Sequence, residues 1–85
     1  MDPIHLTIHV SHADGSYKAW AARCLNASLA KLDDATGHSG YTAHQAIDHL
    51  LSKATPKRRV LHFNQVTHNP EALTDTYHLI AVLDT

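Results

Sequence analysis

Residues 4–10 alternate strictly between apolar and polar side chains, and no other feature of the sequence constrains the fold as strongly. Successive side chains of a strand point to opposite faces, so this pattern predicts a strand with one buried and one open face. Asp14-Gly15 then supplies a residue pair favoured in two-residue hairpin turns. The chain is therefore expected to open with a β-hairpin. The apolar positions of the first strand are Ile4, Leu6, Ile8 and Val10.

Residues 17–25 fit two structures, and the sequence leaves both open. Their alanine content favours a helix, in which Tyr17 begins an apolar face that extends to Leu32. The tight turn before them and their aromatic side chains favour a returning strand, which we take as the prediction. Residues 26–36 are then expected to form a third strand or an irregular return, and residues 37–40 a turn.

Residues 42–54 show the clearest helical pattern. Thr42 and Gln45 have the spacing of a capping box, in which each side chain satisfies a backbone N–H group at the helix start. Tyr41 is expected to pack against the first turn. Pro56 ends the helix, because the residue before a proline avoids helical angles. The apolar stripe consists of Ala43, Ala46, Ile47, Leu50, Leu51 and Ala54.

The remaining residues predict two further strands, over residues 60–66 and 76–83. Between them, Asn69 and Pro70 predict the start of a short helical turn that reaches Leu73. The predicted order is therefore βββαββ. An antiparallel sheet with one main α-helix on one face is an α+β two-layer sandwich. The length of 85 residues is that of a single α+β domain, 1–85.

The composition argues against several classes of protein. Seven basic residues against eight acidic ones give a formal net charge of -1, which argues against nucleic-acid binding. No run of about 18 apolar residues occurs, so no membrane span is expected. The N-terminal residues lack the features of a signal peptide, and a single cysteine suits a reducing compartment. We therefore expect a cytoplasmic protein.

Histidine is the compositional outlier, at 9 of 85 residues. His5 and His9 share one strand face, but about 13 Å of strand separates them, so they cannot bind one ion together. His44 and Asp48 have the i, i+4 spacing of a helical pair that can hold a metal. Another metal site would join His5, His9 or His12 to His62 or His78 across strands or subunits. Solvated surface histidines are the simpler interpretation. The alternative function that they suggest is a histidine-dependent metal- or pH-responsive homo-oligomeric binding protein.

The sequence offers only weak candidates for catalysis. Cys24 is the one thiol, and several histidines could act as its base, but cysteine is more often a buried core residue. Asp33-Asp34 are adjacent carboxylates in a predicted loop, where a solvated turn is the simplest interpretation. We therefore expect a non-enzymatic protein that needs no cofactor.

A basic cluster follows the predicted helix. Lys57-Arg58-Arg59, with Lys53 just upstream, holds four of the seven basic residues. Cations are favoured at a helix C-terminus, so a solubility patch is one interpretation, a contact with an acidic partner is a second, and specific nucleic-acid binding is a third. Trp20 and Tyr77 are expected in the core or half-buried in the sheet, and an exposed one would be an interface candidate. The predicted partner-binding residues are His44, Asp48, His49, Lys57, Arg58 and Arg59.

Two segments resemble a known family. The alternating first strand, the Asp14-Gly15 turn and the stretch Ser16–Cys24 are similar to the opening hairpin of HicB-like antitoxin domains. Residues 40–51 resemble that family's Gly-x-Thr-x-x-Glu-Ala segment, with Gln45 in place of the usual glutamate. The resemblance covers residues 4–54.

The resemblance implies a partial double-stranded-RNA-binding-like fold that binds and neutralises a partner protein. Full antitoxins of this family usually add a DNA-binding module, whereas residues 60–83 predict strands here, so operator binding is not implied. The same element order also resembles small phage-encoded anti-CRISPR proteins, which likewise inhibit by binding. We therefore expect a protein partner, and a homodimer as a natural way to enlarge a thin core.

Overall fold

The computed structural model describes residues 3–23 and 25–84, without the side chain of residue 25. The domain is an α+β sandwich with one antiparallel five-stranded sheet and one main helix, as predicted. The predicted element order is only partly right, because a short second helix lies between the second and third strands. The elements are β1 Ile4–Ala13, β2 Ser16–Ala21, α1 Leu25–Leu29, β3 Thr36–Ser39, α2 Ala43–Ser52, β4 Arg58–Asn69 and β5 Thr74–Leu83.

The strands lie in the order β3-β2-β1-β5-β4, and each neighbouring pair is antiparallel. β1 is therefore the central strand, with Ile8 opposite Ala21 of β2 and Tyr77 of β5. The sheet has two edges, which are the four-residue β3 and the twelve-residue β4.

The two faces of the sheet differ as the alternating pattern of β1 predicts. Leu6, Ile8 and Val10 are buried on the face that α2 covers. The buried face of α2 consists of Ala46, Ile47, Leu50 and Leu51. No described helix packs against the opposite face, which we call the open face. Its central side chains are Thr7, His9, Trp20, Thr76, His78 and Ile80, all half-buried.

The predicted hairpin is confirmed. Asp14 and Gly15 connect β1 to β2 with φ angles of 54° and 75°, which is the left-handed geometry of a type I′ turn. The strand interpretation of the following residues is also right for Ser16–Ala21. This turn sets the register that places Ala19 and Ala21 in the core.

The prediction for residues 26–40 is wrong. Leu25–Leu29 form a five-residue helix, and the third strand lies at Thr36–Ser39, where a turn was expected. The reason is Gly37, which signals a turn in the sequence but here lies in β3, buried directly beneath α2. A residue without Cβ is what lets the helix approach this strand so closely.

The start of α2 is capped as predicted, but only in part. The backbone N–H of Gln45 donates to Thr42 Oγ1 over 3.1 Å. The side chain of Gln45 does not return to Thr42, because its Oε1 accepts from Ser39 Oγ over 3.0 Å. Ser39 Oγ in turn accepts from the Thr42 N–H over 3.4 Å. The expected packing of Tyr41 is wrong, since its side chain is 82% exposed.

The last two strands are longer than predicted and form one hairpin. Strand β4 extends through Asn69, so residues 70–73 form a turn and not a helical segment. Asn69 still has the predicted capping contact, because its Oδ1 accepts from the Ala72 N–H over 3.3 Å. Two register shifts, after Val60 and after Phe63, leave one extra residue each on β4. These are β-bulges, which twist an edge strand and interrupt its regular backbone.

The pKa of the buried Tyr77 phenol provides a test of the core. Burial, and then the nearby Asp75 and Tyr17, raise the pKa of its phenol above the ordinary 10.0. Because the folded state keeps this proton longer than the unfolded chain, the stability it contributes is complete below about pH 10 and is lost as the pH rises through the folded pKa. In an ultraviolet titration of the native protein, Tyr77→Phe should remove the tyrosine ionisation of highest pH. Persistence of that step would contradict the burial of Tyr77.

Candidate functional site

The six predicted partner-binding residues lie on α2 and at the start of β4. His44, Asp48 and His49 are exposed, as expected for the polar side of the helix. Lys57 precedes β4, and Arg58 and Arg59 are its first two residues. Whether these residues bind a partner stays a prediction, but their geometry divides them into smaller groups.

The helix residues point toward opposite edges of the sheet. The ring of His44 stacks on Phe63 of β4, with 4.6 Å between centroids and 17° between planes. His49 lies toward β3, where its Nδ1 accepts from the His38 N–H over 2.9 Å. Both imidazoles therefore contact neighbouring strands, and they do not form one continuous contact surface.

The two arginines differ in the same way. Arg58 lies opposite Leu83 and Arg59 opposite Val82, so strand alternation places them on opposite faces of the sheet. Arg58 is half-buried on the helix side, and Arg59 is exposed. Nε and Nη1 of Arg58 are enclosed by protein, and neither has a hydrogen-bond partner among the described residues. An enclosed cationic group without a hydrogen-bond acceptor is costly. Among the six predicted residues, Arg58 is the one whose described surroundings lack such an acceptor.

Strand β4 and its hairpin loop also expose apolar side chains. Leu61 is 56% exposed, Val66 is 37% and Leu73 is 63%. Sequence reasoning identified a strand here but did not identify these residues as surface. We refer to Lys57–Arg59 together with Leu61 as the β4 surface. It combines guanidinium groups with apolar contacts, a composition enriched at protein interfaces.

Four histidines share the open face. Strand pairing places His5 and His62 beside Ile80, and His9 and His78 beside Thr76 and Thr7. His12 lies on the helix side instead and stacks on Tyr17, with 4.3 Å between ring centroids. Across residues 3–23 and 25–84, no three histidine or acidic side chains come together in a way that could hold a metal ion. The cross-strand site, the alternative to solvated surface histidines, is therefore not formed within the described residues.

A cleft of about 350 Å³ borders the open face near β3. Its polar lining comes from Lys18, Asp33 and Asp34, and Trp20 supplies an aromatic wall. Asp33 Oδ2 accepts from Ser28 Oγ over 3.0 Å, so one carboxylate of the predicted solvated turn also holds the end of α1. Cys24 lies outside the described residues.

Two further polar contacts tie the elements together. Lys53 Nζ donates to the carbonyl oxygen of Thr36 over 2.6 Å, so this member of the predicted basic cluster is used to join α2 to β3. His68 Nδ1 and Asp75 Oδ1 lie 2.8 Å apart on the exposed end of the β4–β5 hairpin. This is the one close contact between a basic and an acidic side chain that the described residues show, and sequence reasoning missed it.

Comparison with known proteins gives no relative: no family model, no curated protein and no solved structure matches this chain. None of the described helices is long and apolar enough to cross a membrane.

Proposed function

We propose that this domain is a non-enzymatic protein-binding module that inhibits or neutralises a partner protein through the β4 surface. The observation that supports this most directly is the guanidinium of Arg58, two of whose nitrogens are enclosed without an acceptor. Because these nitrogens are enclosed, the Arg58 side chain would turn outward on binding and pair with a carboxylate of the partner, since guanidinium and carboxylate groups form paired hydrogen bonds.

The charges around Arg58 support an acidic partner. Lys57 and Arg59 flank it, and no ion pair involves any of the three among the described residues. Three unpaired cations on consecutive residues attract an acidic surface and raise the rate at which it is encountered. The chain as a whole is close to neutral, so this attraction is local to the start of β4.

The apolar part of the β4 surface supplies contact area. Leu61 is more than half exposed, and burying a leucine side chain against a partner contributes roughly 1.5–3 kcal/mol. A partner that fits would therefore present carboxylates next to apolar side chains. The inhibitory action is proposed from the resemblance of residues 4–54 to HicB-like antitoxin domains, and the similarity to anti-CRISPR proteins points the same way.

The test compares three tagged baits in lysate of the native host: wild type, Arg58→Glu with Arg59→Glu, and Arg23→Glu. Arg23 is exposed and lies apart from β4, so its reversal controls for a change of charge alone. We expect the wild type and the control to retain the same protein in equal molar amount, and the double variant to lose it. With the purified partner, the double variant should bind at least about thirtyfold more weakly, or roughly 2 kcal/mol.

Inhibition is measured separately. Addition of the domain to the purified partner should lower that partner's activity in proportion to the fraction bound, and the double variant should have no effect at the same concentration. Equal retention of the partner by all three baits would show that the β4 surface is not the binding site. Binding without any loss of activity would refute the inhibitory part of the proposal.

A further inference from the structure

The open face of the sheet has the properties of an interface. Six of its central side chains are half-buried even though no described element covers them. With neutral imidazoles, none of the six carries a charge. The set includes an indole, an isoleucine and two threonines. Depletion of charge with enrichment of aromatic residues is the compositional mark of an interface core.

The side chains of this face are held in place by contacts across the strands. A hydrogen bond of 3.0 Å joins His9 Nδ1 and Thr76 Oγ1, and one of 3.3 Å joins Thr7 Oγ1 and His78 Nδ1. The ring of His9 also lies 5.7 Å from that of Trp20. Side chains that are already ordered lose little conformational entropy on association, so the cost of covering them is low.

We propose that a second copy of this chain covers the open face, so that two sheets pack face to face. Five strands spaced about 4.8 Å apart, some of them ten residues long, give the face roughly 500 Å² in projection. The accessible area of pleated side chains is larger than the projection, and a standard interface buries about 800 Å² per partner. The face is therefore large enough for one copy and leaves no room for a second occupant.

The charges at the margins favour a two-fold arrangement. Asp33 and Asp34 lie at the β3 margin beside Lys18, and Arg59 and His62 lie at the β4 margin. A two-fold axis parallel to the strands brings the acidic margin of each copy to the basic margin of the other. Two sheets packed in this way also keep their strands within about 30° of each other, as in β-sandwiches.

The experiment measures molar mass by light scattering during gel filtration. At neutral pH we expect the wild type to elute with twice its mass of 9.4 kDa. Thr76→Arg places a cation in the centre of the open face and should give the mass of one chain. Gln45→Arg, on the exposed side of α2, is the matched control and should leave the dimer unchanged.

A second variant guards against misfolding. Ser11→Arg changes a second half-buried position on the same face, this time in β1. Circular dichroism must show that both variants keep the native spectrum. A wild type that has the mass of one chain at every concentration would overturn the proposal, and so would a folded Thr76→Arg protein that still dimerises. If the wild type is monomeric and Thr76→Arg no longer captures the partner, the open face binds that partner and not a second copy. Arg58→Glu, on the helix side of the sheet, should leave the dimer intact while weakening partner capture, which separates this proposal from the preceding one.

Discussion

Gly37→Ala should destabilise the domain by at least about 3 kcal/mol, even though alanine is the better residue for a strand by roughly 0.5–1 kcal/mol. A Cβ at this position would overlap the carbonyl oxygen of Ala46 and the backbone nitrogen of Leu50, and would lie 2.8 Å from Leu50 Cβ. Backbone atoms of a helix cannot yield as a flexible side chain can. The helix must therefore move away from β3, which opens the core along its whole length. Urea unfolding followed by circular dichroism measures the loss.

Gly40→Ala is the matched control for this substitution. Gly40 lies three residues further along, and a Cβ there would meet no atom within 4 Å. We expect its midpoint of unfolding to equal that of the wild type or to rise slightly, because alanine restricts the unfolded chain. If the two variants unfold at the same urea concentration, α2 does not pack on Gly37 as described.

Ile8→Ala should cost about 3–4 kcal/mol, within the range for truncating a buried isoleucine. Ile8 is fully buried at the centre of the central strand, where neighbours on both sides prevent the site from collapsing around the cavity. A chain of 85 residues is expected to have a total stability of only about 4–13 kcal/mol. The loss should lower the Tm by roughly 15 °C or more in a thermal scan.

Thr7→Ala provides the comparison, since it changes the adjacent residue on the opposite face. Thr7 is half-buried and has a single side-chain hydrogen bond, to His78, so its loss should cost about 1 kcal/mol or less. The difference between these neighbours measures how one-sided the burial of the sheet is. Similar losses of Tm for both variants would mean that the open face is as well packed as the core.

The sequence predicts the elements whose patterns are long and local. Alternation over residues 4–10 gives β1, and the capped stripe after Thr42 gives α2, with their buried residues as observed. The same alternation continues through β1 and places His12 on the helix side, so His12 does not belong with His5 and His9 as a candidate ligand. Extending the pattern by two residues would have separated His12 from His5 and His9.

The elements that sequence reasoning missed depend on contacts between distant residues. Helix α1 has five residues, too few for a helical period to appear. Strand β3 has four, and it is a strand because it pairs with β2 and supports α2, while its glycine alone predicts a turn. The exposure of Leu61 and Val66 follows from the position of β4 at the sheet edge. Strand order is a tertiary property that no local pattern encodes.

The edges of the sheet determine how this protein can assemble. β3 offers only four residues to another strand, and the two bulges of β4 interrupt its backbone where a regular ladder would have to form. Neither edge is therefore a good template for adding strands from further copies, and growth into a fibril by sheet extension is disfavoured. In the dimer proposed above, the open face of each copy is covered by the other. Because neither edge strand favours further addition, that assembly would close at two subunits.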